Sequence, residues 1–434
     1  MRCTLICGST AVYSAECSRE AARLPVRASA AASIAVARSG DELHERAHQR
    51  GSITGPTLAF WLRKYGFAPT LVECAPALRT GGYVIDFWGL GYDIAEKMLL
   101  PDIANLGYHM QELRIVDDHG RRLSGFGVRV FRELTSGRYI TLGRSDLSKL
   151  IYDRISGSCE IIFGDSITSL REAHGEVHVE FEHSGERHFD LVIGADGLHS
   201  RVRKLVFGPQ DRYEKDLGYR VAAFETGGYR PRNELVYLIH SAPGQQVGRF
   251  SLHNDRTLFL FIFNGGGEPQ AHGVAAQKAI LRKRFAGDGW ELPQILAALD
   301  ACTELYFDRV SQIRMGTWSQ GRIALVGDAS FCVSLLAGQG SALAMTAAYV
   351  LAVELATSPD RPQEAFRRYE ERLRPFIDAK QRAAERFAAA FVPRTRRGIF
   401  FRNQVIKAFR VPAIAKVAIS RDIRDQLQLP RYHL

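Results

Sequence analysis

Residues 322–341 read RIALVGDASFCVSLLAGQGS, and this stretch indicates the fold more strongly than any other. Its opening apolar run predicts a buried strand, and Asp328 follows that run directly after a glycine. A carboxylate at the end of a buried strand can accept hydrogen bonds from the hydroxyls of a sugar chain. Gly338, Gln339 and Gly340 then open a helix of small apolar residues, whose N-terminal amide groups attract an anion. A packed helix with a glycine-rich start is the alternative, and the Gly-Asp pair after the strand disfavours it.

Residues 190–203, DLVIGADGLHSRVR, contain a second buried strand followed by a turn. The strand leads into Asp196 and Gly197, and Ser200 and Arg203 follow at helical spacing. A strand, a turn and a solvated basic helix start would give the same pattern. The residues alone leave the binding and the structural interpretation equally open.

A third glycine turn, Gly51-Ser-Ile-Thr-Gly55, precedes a predicted helix, and Glu73 ends the next predicted strand. A dinucleotide fold needs glycines here so that the backbone can approach a pyrophosphate. It also needs an acid about 20 residues further on to accept hydrogen bonds from ribose hydroxyls. Taken alone the signal is weak, because a glycine turn before a helix is more often plain geometry.

The remaining patterns predict an α/β protein with two interleaved domains. Short apolar strands alternate with helices in the regions that carry the three glycine turns, which is typical of a Rossmann-like mixed sheet, whereas residues 219–263 are rich in alternating strands. The predicted boundaries are 51–110, 140–205 and 316–360 for the Rossmann-like domain, 111–139 and 206–315 for an antiparallel-sheet domain, and 361–434 for a C-terminal helical region.

Composition and charge exclude several classes of protein. The seven cysteines show no metal-binding spacing, so we expect reduced thiols, no metal and a cytoplasmic location. The net charge of +10 arises in residues 380–434, which contain 13 Lys/Arg and 3 Asp/Glu, and no nucleic-acid module accompanies it. The apolar helix predicted at residues 341–353 is too short for a bilayer, which needs about 20 residues. We expect a monomer or homodimer without a nucleic-acid partner or stable membrane insertion.

Together, the three patterns resemble the FAD-dependent monooxygenases of the para-hydroxybenzoate hydroxylase fold, particularly the bacterial subgroup that includes tetracycline-modifying monooxygenases. The resemblance runs from about Gly51 to the C-terminus. The segments Arg79-Thr-Gly-Gly-Tyr83 and Gly143-Arg-Ser-Asp-Leu147 also look like this subgroup. The resemblance implies that the Rossmann-like domain binds FAD and that the antiparallel sheet belongs to a substrate domain.

The resemblance also implies which residues contact the cofactor. Gly51 and Gly55 would face the FAD pyrophosphate, Glu73 the adenosine ribose, Arg144 the flavin side chain, Asp196 and Gly197 the cofactor and the approach of NADPH, Asp328 the ribityl or pyrophosphate region, and Gly338, Gln339 and Gly340 the isoalloxazine.

The implied reaction begins when NADPH or NADH reduces the flavin. Molecular oxygen then forms a C4a-hydroperoxide, which passes one oxygen atom to an aromatic or polyketide-like small molecule. The cofactor performs the chemistry, while the protein positions the substrate and excludes water, so no separate nicotinamide fold is expected. The catalytic residues stay unassigned. His240, His253, Arg220 and Tyr237 could face a pocket, but each is more often an ordinary sheet residue.

The segment before Gly51 departs from the family pattern. Aligned back from Gly55, the first motif glycine falls at Arg50, and the expected apolar strand falls at residues 45–49, ERAHQ. Burying these charges where the backbone must meet a pyrophosphate would cost on the order of several kcal/mol. Leu335 stands where the family commonly has proline, and we expect altered coupling there rather than loss of the fold.

The genetic code offers an explanation for this segment. Residues 44–51 can be encoded as CAT GAA CGT GCT CAT CAG CGG GGN, and the reading one base later spells Met-Asn-Val-Leu-Ile-Ser-Gly, the strand and glycine that the fold requires. We hypothesise that one base is missing near the Gly51 codon and that residues 1–50 are out-of-frame translation or disordered. A transit peptide would share their Ala/Ser/Arg-rich composition. Codon degeneracy leaves freedom in this match, so codons incompatible with the shifted reading would refute it.

Two alternatives to a working monooxygenase stay open. The chain could be a non-catalytic remnant that cannot load FAD because the first strand is lost. It could also be a related flavin oxidoreductase without hydroxylation, such as a dehydrogenase or halogenase. The sequence disfavours the halogenase because it contains no W-x-W-x-I-P segment.

Overall fold

The computed structural model of the protein describes residues 33–38, 53–78, 83–100, 103–265, 271, 273–411, 413–416, 427 and 429, with backbone alone at 33–38. Within these residues, two large sheets and their covering helices form a mixed α/β fold, as predicted.

The first sheet has six strands. They are β1 (Ser33–Arg38), β2 (Ala68–Glu73), β7 (Glu160–Phe163), β11 (Leu191–Gly194), β17 (Ser319–Gln320) and β18 (Ile323–Leu325). Their order is β17-β18-β11-β1-β2-β7, and all pairings are parallel except that of β17 with β18. Strands β2 and β11 are almost entirely buried, because helices cover both faces of a parallel sheet.

The central strand lies outside the segment where the family pattern would place it. Ser33–Arg38 pairs with both β2 and β11 and so fills the middle of the sheet. Alignment back from Gly55 had placed this strand at residues 45–49, which lie outside the described residues. The segment SIAVAR is a short apolar run among the first 50 residues, and a gap between two parallel strands must be filled if their backbone groups are to be paired.

Twelve helices surround and connect the sheets in the described part of the chain. They are α1 (Thr54–Lys64), α2 (Leu90–Lys97), α3 (Ile103–Leu106), α4 (Arg129–Leu134), α5 (Arg144–Ile155), α6 (Arg201–Val206), α7 (Val274–Phe285), α8 (Leu292–Ala301), α9 (Asp328–Phe331), α10 (Gly340–Thr357), α11 (Pro362–Phe391) and α12 (Arg396–Ala408).

Helix α10 lies in the main core, packed against α1, α2 and α11. Among the described residues it is the one helix long and apolar enough to cross a membrane, and 72% of it is buried inside the protein. It is therefore a buried core helix, and such helices can be as long and as apolar as membrane-spanning ones. The sequence had placed its apolar part at residues 341–353.

The second large sheet has seven strands, β4 (Glu112–Val116), β5 (Arg122–Gly127), β12 (Glu214–Gly227), β13 (Val236–Ala242), β14 (Gln245–Ser251), β15 (Arg256–Asn264) and β16 (Tyr306–Ile313). Their order is β16-β12-β15-β14-β13-β4-β5. This sheet was predicted to be antiparallel, and the pairing of β13 with β4 is instead parallel. A parallel pair needs a long crossover connection. Here the connection from β4 to β13 includes β7 and β11 of the first sheet.

The two faces of this second sheet have different neighbours. Phe224, Phe259, Phe261 and Phe263 belong to an apolar cluster with α7 and α8 on one face. On the other face, Tyr219, Val221 and Val310 pack with Leu336, from the loop after α9, and with the end of α11. The second sheet therefore lies against the loop that follows Asp328.

Two smaller sheets complete the fold. One consists of β8 (Ile167–Ala173), β9 (Glu176–Phe181) and β10 (Glu186–Phe189), and the other of β3 (Val84–Trp88) and β6 (Tyr139–Gly143).

Candidate functional site

Three acidic residues predicted from the sequence follow parallel strands of the first sheet. Glu73 ends β2, Asp196 follows β11, and Asp328 follows β18. Because carboxyl ends of parallel strands meet at one edge of a sheet, the three turns lie along the same edge. This is the edge at which open α/β sheets bind their ligands.

The turn at Asp328 lies directly against the start of α1. Gly327 has φ +69°, and a Cβ atom added there would lie 2.8 Å from Thr54 Oγ1, the side chain of the first residue of α1. Gly55 is the second residue of this helix and is buried, whereas Gly51 lies outside the described residues. Glycine at 327 therefore brings the first and third sequence motifs into contact.

Asp328 and Arg144 lie close enough to interact electrostatically. Asp328 is half-buried at the start of α9, and burial raises the pKa of its carboxyl group, while the positive charge of Arg144 lowers it. Arg144 begins α5, and its backbone amide donates a hydrogen bond to Tyr83 O at 3.2 Å. A carboxylate and a guanidinium from different motifs thus face one region.

The residues Gly338, Gln339 and Gly340 open α10 as predicted. Gly338 adopts the left-handed conformation, with φ +66°, and Gly340 is the first residue of the 18-residue helix. A Cβ atom at either glycine would meet no described atom within 4 Å, so both border open space. The first turn of α10 contains no acidic residue, which leaves its amide groups suited to an anion.

The carboxylate of Asp196 is held by hydrogen bonds within its own turn. Its carboxylate accepts hydrogen bonds from Ser200 Oγ at 2.5 Å and from the Val202 amide at 2.9 Å, and so caps α6. Burial raises the pKa of this carboxyl group. Gly197 beside it has φ +78°.

Arg203 joins the turn at Asp196 to the helix that begins at Asp328. Its guanidinium donates to Ala329 O at 2.8 Å and to Leu198 O at 2.6 Å. The side chain is fully buried, and burial lowers its pKa. The structural alternative of a solvated basic helix start is therefore wrong for Arg203, which braces two corners of the site.

Glu73 is buried and already accepts hydrogen bonds within the protein. Its Oε1 accepts from the Ala75 amide at 3.1 Å and its Oε2 from Tyr152 Oη at 3.3 Å. These contacts fix the carboxylate at the end of β2. Its contact with an adenosine ribose stays a prediction.

Of the candidate pocket residues, Arg220, Tyr237 and His240 lie in strands of the second sheet, and His253 lies in the turn between β14 and β15. His240 is buried, with Nε2 2.8 Å from Asp118 Oδ1, and Arg220 pairs with Asp216. His253 stacks on Tyr108 with ring centroids 4.3 Å apart. For Tyr237, burial raises the pKa of the hydroxyl.

Sequence reasoning missed a buried carboxyl group beside the second sheet. Asp86 on β3 accepts hydrogen bonds from Tyr139 Oη at 2.8 Å and Thr141 Oγ1 at 2.6 Å, and burial raises its pKa. A single acid in an alternating strand gives no signal in the sequence, because its two partners lie more than 50 residues away.

One group of described side chains has the geometry of a metal site, on the hairpin of β9 and β10. His178 and His188 face each other there, and Glu186 lies beside them. The guanidinium of Arg171 lies 3.4 Å from His178 Nδ1, where its charge opposes a bound cation.

The residues at the carboxyl edge suit a dinucleotide such as FAD. Helices α1 and α10 both present N-termini without acidic residues in the first turn, and Arg144 adds a positive charge. The open space at Gly338 and Gly340 allows a planar group to approach the backbone.

Comparison with known proteins finds FAD-binding relatives of this chain. The family model described as the FAD binding domain matches residues 109–384. A flavin-dependent monooxygenase from an unknown prokaryotic organism is 36% identical over 336 residues, covering 76% of this chain and 86% of the relative.

Two solved structures illustrate the shared fold. The tetracycline destructase Tet(51) superposes with a TM-score of 0.76 at 30% identity, covering 93% of this chain and all of that one. HpxO of Klebsiella pneumoniae, complexed with FAD and uric acid, has a TM-score of 0.72 at 21% identity, covering 89% of this chain and 97% of that one, and shows the fold alone. This chain therefore belongs to the family of FAD-binding, flavin-dependent monooxygenases.

Proposed function

We propose that the protein uses NADPH or NADH and molecular oxygen to hydroxylate an aromatic or polyketide-like small molecule. The observation that carries this proposal is the contact of Gly327 with Thr54, which joins two nucleotide-binding motifs beside Asp328 and Arg144. When bound, FAD supplies the redox chemistry and the activation of oxygen. The substrate class follows the similarity to a tetracycline destructase.

In this proposal the protein orients the cofactor and excludes water. Arg144 and the amide groups at the start of α10 compensate negative charge, and Asp328 accepts from the hydroxyls of the ribityl chain. The proposal includes the other FAD contacts that the resemblance implied, which are those of Gly51, Gly55, Glu73, Asp196, Gly197, Gly338, Gln339 and Gly340.

The substrate would lie between the flavin end of the first domain and the face of the second sheet that packs against Leu336. Tyr83, whose carbonyl accepts from the Arg144 amide, lies with its ring centroid 5.8 Å from that of Tyr306 on β16. This aromatic pair joins the two domains beside the proposed site, where apolar rings suit an aromatic substrate. The division into a FAD-binding domain (51–110, 140–205, 316–360), a substrate domain (111–139, 206–315) and a helical region (361–434) is part of the proposal.

The test compares Arg144→Met with Arg154→Met, since the two arginines begin and end the same helix and Arg154 is exposed. We expect Arg144→Met to weaken FAD binding by about tenfold or more, because one charge-assisted contact is lost, and Arg154→Met to leave it unchanged. Oxidation of NADPH and incorporation of labelled oxygen from O₂ into a phenolic or polyketide product would be measured on the FAD-loaded protein. FAD binding without oxygen incorporation into any such substrate would favour a non-hydroxylating flavin oxidoreductase.

A second candidate is a remnant that keeps the scaffold without loading FAD. Arg50 at the position of the first motif glycine favours it, since a bulky charged side chain there would obstruct a pyrophosphate. A flavin absorption spectrum of the purified chain distinguishes the two candidates.

A further inference from the structure

Helix α12 exposes apolar side chains in a part of the chain that contains no acidic residue. From residue 386 to residue 416 the sequence has eight Lys/Arg and no Asp or Glu. Of the large apolar residues exposed in the described structure, most belong to this segment, namely Phe387, Phe400, Phe401, Val405, Val411 and Ile414.

The apolar residues of α12 share one face. Phe400, Phe401 and Val405 lie on adjacent turns, and the two phenylalanines are 59% and 67% exposed. Arg396, Arg397 and Lys407 border this face at helical spacing, and none of the three forms an ion pair with another described residue. An apolar strip bordered by cations is the pattern of helices that lie in a membrane interface.

The opposite face of α12 is fixed to the second sheet. Asn403 is buried, and its carbonyl accepts from Ser124 Oγ on β5 at 2.8 Å. The guanidinium of Arg402 donates to Phe391 O at 3.0 Å and to Ser241 Oγ on β13 at 3.1 Å, and burial lowers its pKa to about 10. Because these contacts hold the helix, the exposed phenylalanines cannot turn inward without breaking them.

We propose that the outer face of α12 docks the protein on the surface of an anionic lipid bilayer. Lipid phosphates complement the cations, and the interfacial region accepts the two phenylalanine rings. A second copy of the chain is the less favoured partner, since two such faces carry charge of the same sign and repel each other. Docking would bring the second sheet, to which α12 is bound, close to the bilayer in which apolar molecules dissolve.

The probe is flotation of the full chain, saturated with FAD, on vesicles of phosphatidylcholine alone or with added phosphatidylglycerol. We expect binding to the phosphatidylglycerol vesicles that weakens at high salt. The double variant Arg396→Glu with Arg397→Glu should bind roughly 30-fold more weakly or worse. Acidic residues in the first turn of a helix favour its N-terminus, so this variant should stay folded.

The double variant Phe400→Ser with Phe401→Ser should lose at least about tenfold in binding, because two rings no longer enter the interface. Arg154→Glu with Lys283→Glu is the matched control, since it changes the net charge equally at exposed sites on α5 and α7 and should bind as the parent does. Absence of binding to the phosphatidylglycerol vesicles would overturn the proposal. Binding of both α12 variants as tight as that of the parent would also overturn it, as would a loss in the control as large as that in the arginine variant. Self-association that the phenylalanine variant abolishes, without any binding to vesicles, would overturn it as well.

Discussion

Gly327 is the residue on which the geometry of the site depends most directly. We expect Gly327→Ala to lower the free energy of unfolding by about 2 to 4 kcal/mol, since the new Cβ meets Thr54 and the residue has φ +69°. Urea unfolding measures this loss, and FAD titration should show weaker binding. Gly66→Ala is the control, because Gly66 has φ +87° with no described atom within 4 Å of an added Cβ. If the two substitutions lower the free energy of unfolding equally, the contact with Thr54 does not contribute to the loss.

His199 makes the stability of the protein depend on pH. Burial lowers the pKa of its imidazole, but hydrogen bonding to Asp308 and the charge of that carboxylate raise it more, and the net pKa lies above 6.5. A raised pKa in the folded state stabilises the protein below the unfolded value, and this contribution is lost as pH rises through the folded pKa. We therefore expect Asp308→Asn to lower stability by about 1 kcal/mol below roughly pH 6.5, and by progressively less at higher pH.

Thermal unfolding of the parent and the Asp308→Asn variant across this pH range measures the difference. Asp211→Asn, at an exposed position, should show no such trend. A difference for Asp308→Asn that does not change with pH would mean that Asp308 does not raise the pKa of His199.

At the scale of single residues, the sequence indicated Gly327-Asp328 and the glycines that open α10, because the backbone conformation of a turn depends on the residues within it. It could not indicate that the Asp196 carboxylate turns back to cap α6 rather than facing outward. Nor could it show that Arg203 is buried, since this depends on the contact of its guanidinium with Ala329 in α9, which lies more than 100 residues away.

At the scale of elements, Arg203 connects α6 to α9. We expect Arg203→Met to lower the free energy of unfolding by about 3 kcal/mol, because two buried carbonyl groups lose their donors. FAD binding should weaken as the two corners separate. Lys204→Met, at the exposed neighbouring position, should change stability by less than about 0.5 kcal/mol. Chemical unfolding of the two variants decides this, and equal losses would refute the bracing role.

Most elements of the first sheet could be predicted from short apolar runs followed by glycine, as for β11 and β18. The central strand could not, since alignment of the glycine turn placed it at residues 45–49, whereas Ser33–Arg38 occupies that position. The parallel pairing of β13 with β4 was also missed, because alternation predicts a strand but not the direction of its partner.

At the scale of the whole molecule, the order of motifs along the chain predicted the family, because widely spaced turns converge at one sheet edge. The substrate could not be predicted, since the face of the second sheet that would meet it is built from residues without distinctive spacing. If the reading-frame hypothesis is correct, restoring the frame replaces residues 44–50 by Met-Asn-Val-Leu-Ile-Ser-Gly. We then expect this new strand to take the position between β11 and β2 that Ser33–Arg38 occupies in the present chain.

The central claim is that a single FAD lies along the edge formed by the turns at Gly55, Asp196 and Asp328. The most direct test is to incubate the frame-restored chain with excess FAD, remove free flavin on a desalting column and measure flavin absorbance per chain. We predict a yellow protein that retains one flavin per chain. A folded, frame-restored protein that leaves the column colourless would contradict the claim.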